Sequence, residues 1–156
     1  EIGVRLVGSE MCIRDSRNTG LAVTMDCGEY NNMHPADKRT VAHRLALQAL
    51  YRVYRAIPAM DAEAPYCKNA YASGGAYILQ FSQPVVAKDG EAAVFELAGT
   101  DGVYYPAVAE FRDNFVRLTS PNVRIPASMR YAWRNWCDVG VYGKNGIPVA
   151  SFRMPK

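Results

Sequence analysis

The chain lacks a cysteine framework. Its four cysteines, Cys12, Cys27, Cys67 and Cys137, are unevenly spaced and none belongs to a C-x-x-C pair. That excludes a disulfide-stapled scaffold and a zinc ribbon as readings of the spacing, and no metal or other cofactor is expected. Long hydrophobic runs are missing as well: nothing approaches the roughly 20 apolar residues of a membrane span, so no membrane partner is expected. Charge of one sign never accumulates. The net charge of +3 is spread along the chain without a Lys/Arg block, which gives no footprint for nucleic acid or for a membrane surface. No internal repeat or low-complexity segment is present. The length of 156 residues is enough to bury a real core.

The opening stretch, EIGVRLVGSEMCIRDS, has no apolar period and no turn chemistry. Back-translation of GSEMCIRD, together with the Leu6-Val7 before it, permits the codons of a transposon-end sequencing adapter. Residues 1–16 are therefore expected to be a translated adapter rather than native protein, and they are set aside as such segments should be. Without Arg5, Arg14, Glu1, Glu10 and Asp15 the remainder stays mildly basic.

Two halves with different periods follow. GLAVTM (20–25) is a short run apolar on both faces, as a central parallel strand covered by helices would be. After the loop residues EYNNMH, Pro35 is expected to open a helix, where its missing N–H costs nothing. Ala42, Leu45, Ala46, Ala49, Leu50 and Val53 recur at helical spacing, with Lys38, Arg39, His43, Gln48, Arg52 and Arg55 mostly opposite them. Pro58 is expected to end the helix. This is one strand–helix unit of an α/β layer, and its apolar stripe either packs on the second half or stands exposed. After a short Ala/Pro-containing linker, Ala59 to Pro65, the period shortens to two. AYILQFS, AAVFELAG, YPAVAEF, FVRLTS and MRYAWR read as short strands punctuated by Asp89-Gly90, Asp101-Gly102, Asp113-Asn114 and Asn145-Gly146. They predict an antiparallel sandwich or barrel.

The chemistry-bearing position is His34. The sequence places it at or beside the helix N-cap, just beyond the carboxyl end of the GLAVTM strand, where ligands bind in open α/β sheets. A helix N-terminus disfavours an imidazolium, so the ring would stay neutral and able to accept a proton. Asp26, at the strand end, is the candidate to orient the ring through its other nitrogen. A lone histidine before a proline is also an ordinary loop residue. Tyr104, Tyr105, Tyr131, Trp133 and Trp136 read as core aromatics, with a sugar-stacking platform as the alternative.

Taken together, Asp26-x-Gly28, His34-Pro35, Lys38 and Arg44-Leu45, followed by FELAGTDGVYYPAVAEF, MRYAW and GIPVASFR, resemble the sialate O-acetylesterase family of the SGNH hydrolase superfamily. The likeness extends over nearly all of residues 20–153. It implies serine esterase chemistry on an O-acetylated sugar, sialic acid or a related glycan, with His34 as the histidine that activates the serine. It also implies a secreted or periplasmic protein, although composition leaves the compartment open. The serine block and the oxyanion-hole Gly and Asn blocks are not in this chain. Ser73, Ser82, Ser120, Ser128 and Ser151 fall in the β half without a nucleophile motif. Many SGNH hydrolases carry an Asp three residues before the histidine, where this chain has Asn31, so either Asp26 supports His34 or the parent works with a dyad. Lys38 and Arg44 read as solvated helix charges or a structural ion pair.

The expected organisation is thus α/β plus β. Residues 1–16 are non-native, 17–57 are the last strand–helix unit of an SGNH three-layer domain, and 58–156 are an antiparallel β-sandwich. The expected function is that of a C-terminal fragment of a carbohydrate O-acetylesterase, inactive alone. The alternative is a non-catalytic carbohydrate-binding or structural β-sandwich module.

Overall fold

The computed structural model describes residue 16 and residues 19–88 and 94–155. Residues 1–15 of the expected adapter segment and the turn at Asp89-Gly90 lie outside the described residues. The chain divides between Ala64 and Pro65 into two compact units. In the first unit the main element is α1 (Lys38–Arg52), a run of good helix formers. Its N-cap is Asp37, whose Oδ1 accepts a hydrogen bond from the Thr40 N–H at 3.0 Å. It stops well before Pro58. Arg55 enters the left-handed region at φ 53°, and the Ala56 N–H reaches back to the Leu50 carbonyl at 2.9 Å, so a last-turn carbonyl is satisfied as the chain leaves the helix. A short helix, α2 (Ala59–Ala62), follows.

The start of α1 corrects the expectation drawn from Pro35. The Ala36 N–H donates to Glu29 Oε1 at 2.7 Å, so the backbone around Pro35 belongs to a side-chain-clamped loop and helical bonding begins only after Asp37. His34 is accordingly not at the N-cap but ahead of it, separated by Pro35 and Ala36. GLAVTM differs too. It runs without a paired strand among the described residues, because a ladder needs a neighbour and none of them lies beside it. Val23 is nonetheless buried, and a Cβ on Gly20 would come within 2.6 Å of Gln48 Oε1, so this segment passes close over α1.

The face of α1 that is buried is polar. Arg44 and Gln48, one turn apart, are the buried pair on this helix. The Gln48 Nε2–H donates to the Ala62 carbonyl at 2.6 Å, its Oε1 accepts from Arg52 Nε at 3.1 Å, and Arg52 pairs with Glu63 at 2.5 Å. Each buried polar group is thereby satisfied. The apolar stripe is turned outward: Leu45 is 54% exposed and Val53 63%.

Among the described residues of the second unit every strand pair is antiparallel. One sheet has the order β1-β2-β7-β6, from β1 (Cys67–Ser73), β2 (Ala76–Phe81), β6 (Val108–Arg112) and β7 (Phe115–Thr119). Another has the order β10-β8-β4-β5, from β4 (Phe95–Ala98), β5 (Tyr104–Pro106), β8 (Ser128–Tyr131) and β10 (Phe152–Met154). A third, two-stranded sheet pairs β3 (Val85–Ala87) with β9 (Val141–Gly143). The β1–β2 hairpin turns through Gly74 and Gly75 at φ 55° and 76°, the two positive values that a type I′ turn demands. Alternation buries Tyr77, Leu79 and Phe81 on β2 and Val116 and Leu118 on β7, while Phe95, Leu97, Met129 and Tyr131 fill the other sheet. Residues of the two sheets meet where Phe81 and Phe152 stack edge to face, centroids 5.9 Å apart. Glu96, buried on β4, lies opposite Arg130 on β8 in register and receives its Nε–H at 2.7 Å and a second bond from its Nη2–H at 3.2 Å.

Leu97 is fully buried at the centre of β4. Leu97→Ala is expected to cost about 2–5 kcal/mol through lost transfer energy and an unfilled cavity. Both tryptophans, Trp133 and Trp136, lie in this unit. Urea unfolding followed by tryptophan emission therefore reads the loss directly, and a shift below 1 kcal/mol would show that the site collapses around the smaller side chain.

Candidate functional site

Asp26 sits in the turn that closes the GLAVTM segment, with the Cys27 N–H bonded to the Thr24 carbonyl at 3.0 Å. Its carboxylate faces Arg44, on the second turn of α1. The guanidinium grips it as a fork, Nη1 to Oδ1 at 2.5 Å and Nη2 to Oδ2 at 2.7 Å. Nη1 also donates to the Val23 carbonyl at 2.7 Å and lies 3.4 Å from Cys27 Sγ. Burial alone would raise the Asp26 carboxyl, but the hydrogen bonds and charge of Arg44 outweigh it and the net direction is downward. Cys27 moves the other way: burial first, then the Asp26 charge, raises its thiol. This disfavours thiolate, so Cys27 is a small buried side chain rather than a nucleophile.

His34 lies on the adjoining loop, exposed. Glu29 organises that loop. Its Oε1 takes the Ala36 N–H and its Oε2 the Asn32 Nδ2–H at 3.1 Å, while Glu29 and Asn32 also form an isolated antiparallel bridge. Asn32 Oδ1 in turn accepts the His34 N–H at 2.9 Å. The Ala36 N–H foremost, then Asn32, holds the Glu29 carboxyl below its ordinary value. The backbone on both sides of His34 is therefore pinned while its imidazole stands open to an incoming group. No hydrogen bond joins His34 to Asp26 or to any serine among the described residues. Lys38 Nζ donates to the Pro35 carbonyl, and Asn31 makes no side-chain hydrogen bond among the described residues.

The structure thus brings Asp26 together with Arg44 and leaves His34 to the Glu29–Asn32 clamp. Arg44 is the structural ion-pair partner, not a solvated charge. Glu29 is the residue that sequence reasoning passed over. Its spacing to Asn32 is a local side-chain signal, but its bond to Ala36 crosses a proline and follows no regular period. Among the aromatics, Tyr131 is core, its hydroxyl accepting the Val141 N–H at 3.2 Å. Tyr104 is half-buried beneath the Arg130 guanidinium, 4.2 Å from its ring centroid, and Trp136 is exposed. Among the described residues no group of three or more His, Cys, Asp and Glu side chains gathers as a metal site would require, and no helix is long and apolar enough to cross a membrane.

No protein-family model and no curated protein matches the chain. Among solved structures it is similar to the crystal structure of a carbohydrate acetylesterase from Xanthomonas citri. The TM-score is 0.79 and the identity 32%, over 86% of this chain and 32% of that one. The chain therefore spans about a third of the length of that structure. In sequence and in fold alike, it is related to part of a carbohydrate esterase.

Proposed function

We propose that the chain is part of a carbohydrate O-acetylesterase of the sialate O-acetylesterase type. The observation that carries this is the joint likeness in sequence and fold to a carbohydrate acetylesterase over most of the described chain. In this reading residues 17–57 are the last strand–helix unit of an SGNH domain, and residues 58–156 are a β-sandwich. The pinned loop presents His34 as general base. Its imidazole takes the proton of a serine hydroxyl as that oxygen attacks the acetyl carbonyl, then returns it to the sugar oxygen that leaves. Asp26 acts through Arg44: the fork ties the end of the GLAVTM segment to α1 and so sets where the His34 loop begins. The substrate is an acetyl ester on sialic acid or a related sugar, and no metal takes part.

The chain alone is expected to release no acetate from 4-nitrophenyl acetate above the rate of an equal concentration of free imidazole. A longer protein from the same reading frame, carrying a Gly-Asp-Ser-type or Gly-Gln-Ser-type block, is expected to turn the ester over. A longer frame without such a block, or turnover by the chain alone that His34→Ala abolishes, would overturn the reading.

A further inference from the structure

We propose that the second unit carries a binding cleft of its own for a neutral pyranoside, between the β4–β5 turn and the loop after β7. The cleft has a volume of about 310 Å³ and is lined by Gly99, Thr100, Asp101, Tyr105, Asn122 and Arg124, with Val123 and Ile125 as its apolar part. That volume lies at the small end of the roughly 300–1,000 Å³ range of ligand sites, which suits one sugar ring rather than a long chain.

The walls are built, not incidental. The Ala127 N–H donates to the Ala98 carbonyl at 2.9 Å, tying the far end of the loop to β4. Ser120 Oγ–H donates to the Pro106 carbonyl at 2.8 Å, tying its near end to β5. The turn itself is fixed by the Gly102 N–H on the Gly99 carbonyl and by Asp101 Oδ1, which accepts the Val103 N–H at 3.2 Å. The two walls approach each other at Gly99: a Cβ there would be in van der Waals contact with both Asp101 Oδ1, at 3.4 Å, and the Ile125 carbonyl, at 3.7 Å.

Lining this concavity are polar residues whose side chains the protein itself leaves largely unused. Among the described residues the side chains of Thr100, Tyr105, Asn122 and Arg124 make no hydrogen bond or ion pair, and Asp101 keeps its second carboxylate oxygen open. One carboxylate and one guanidinium on the same cleft leave it without net charge, which favours a neutral ligand over an anion. A carboxylate accepts from two neighbouring hydroxyls and a guanidinium donates to two, so the pair matches a vicinal diol. The Tyr105 ring and Ile125 offer apolar surface to the C–H face of such a ring. A pyranose carries both features on one small rigid body.

The choice of a sugar rests on the carbohydrate reading proposed above; the cleft itself does not. The test is NMR titration of the full ¹⁵N-labelled chain with methyl pyranosides of gluco, galacto, manno and xylo configuration, and with N-acetylneuraminic acid as the charged comparison. At least one neutral pyranoside is expected to bind with Kd of about 1–10 mM. The amides that move should be those of Gly99 to Asp101, Tyr105 and Asn122 to Ile125. Arg124→Ala and Asn122→Ala, both at exposed positions, should each weaken binding about tenfold with the rest of the spectrum unchanged. Silence at these amides with every neutral pyranoside overturns the proposal. So does a response to N-acetylneuraminic acid alone, or shifts that gather instead around the exposed Tyr71 and Phe115. Binding without any ester turnover in the longer protein would sink the esterase reading and keep this one, and turnover without binding would do the reverse.

Discussion

His34→Ala, in a longer protein that carries the serine, is expected to lower kcat for acetyl esters by roughly 10²–10⁴-fold with little change in KM. The imidazole is exposed, so its removal opens no cavity and breaks no side-chain hydrogen bond among the described residues. What goes is a proton acceptor. The loop stays, because Glu29 and Asn32 hold the backbone rather than the ring. Unchanged thermal unfolding together with the loss in kcat would therefore separate chemistry from folding. Added imidazole should restore part of the rate, since the space it needs is left open. His43→Ala is the matched control. His43 is exposed on α1, and its loss should leave turnover within about twofold. Equal losses in the two variants, or full activity in His34→Ala, would remove His34 from the mechanism.

Glu29 marks the limit of what the sequence discloses about this site. His34 and Asp26 stand out by residue type, and α1 by its 3.6-residue period. Which face of α1 is buried does not follow from that period. Arg44 and Gln48 are buried because Asp26, the Val23 carbonyl and the Ala62 carbonyl satisfy them, and these partners lie 18, 21 and 14 residues away. A periodicity argument prices apolar side chains and cannot see such partners, so it located the stripe, which stands exposed as one of the two expected outcomes, but not the buried polar face. The cap was within reach: Asp37 three residues before Thr40 is an N-cap signal, but Pro35 offered a competing one upstream.

The β half divides along similar lines. β2 and β7 alternate cleanly, because one side chain in two enters the core. β1, CKNAYAS, has no such pattern: it is an edge strand whose residues are mostly exposed, and backbone pairing with β2 alone makes it a strand. β3, β9 and β10 have three residues each, too few for a period, and exist through their partners. Carbohydrate esterase relationship was legible only in the order of motifs, not in any one of them.

Arg44→Ala is expected to destabilise the first unit by about 3 kcal/mol at pH 7, more than its lost packing accounts for. The substitution strips a partly buried carboxylate of both of its charged bonds and leaves the Val23 carbonyl without its donor. Arg44→Lys should recover only part of the loss. An ammonium restores the charge but cannot span both Asp26 oxygens and the carbonyl as the fork does. The first unit contains no tryptophan and holds α1, so ellipticity at 222 nm during urea unfolding reports it. Acidification supplies the decisive contrast. Because the folded state holds the Asp26 carboxyl below its unfolded value of about 3.9, the pair stabilises the fold above that pH. The contribution is lost as pH falls through the lower folded value. Without Arg44 burial is opposed only by the backbone hydrogen bond of the turn and by Cys27, so the Asp26 carboxyl lies above its wild-type folded value and protonation costs the fold less. The gap between wild type and Arg44→Ala should therefore narrow as pH falls from about 3.9 through the lower folded value. A gap that stays constant over that range would mean that Arg44 supports the helix by packing, and that the fork on Asp26 contributes little.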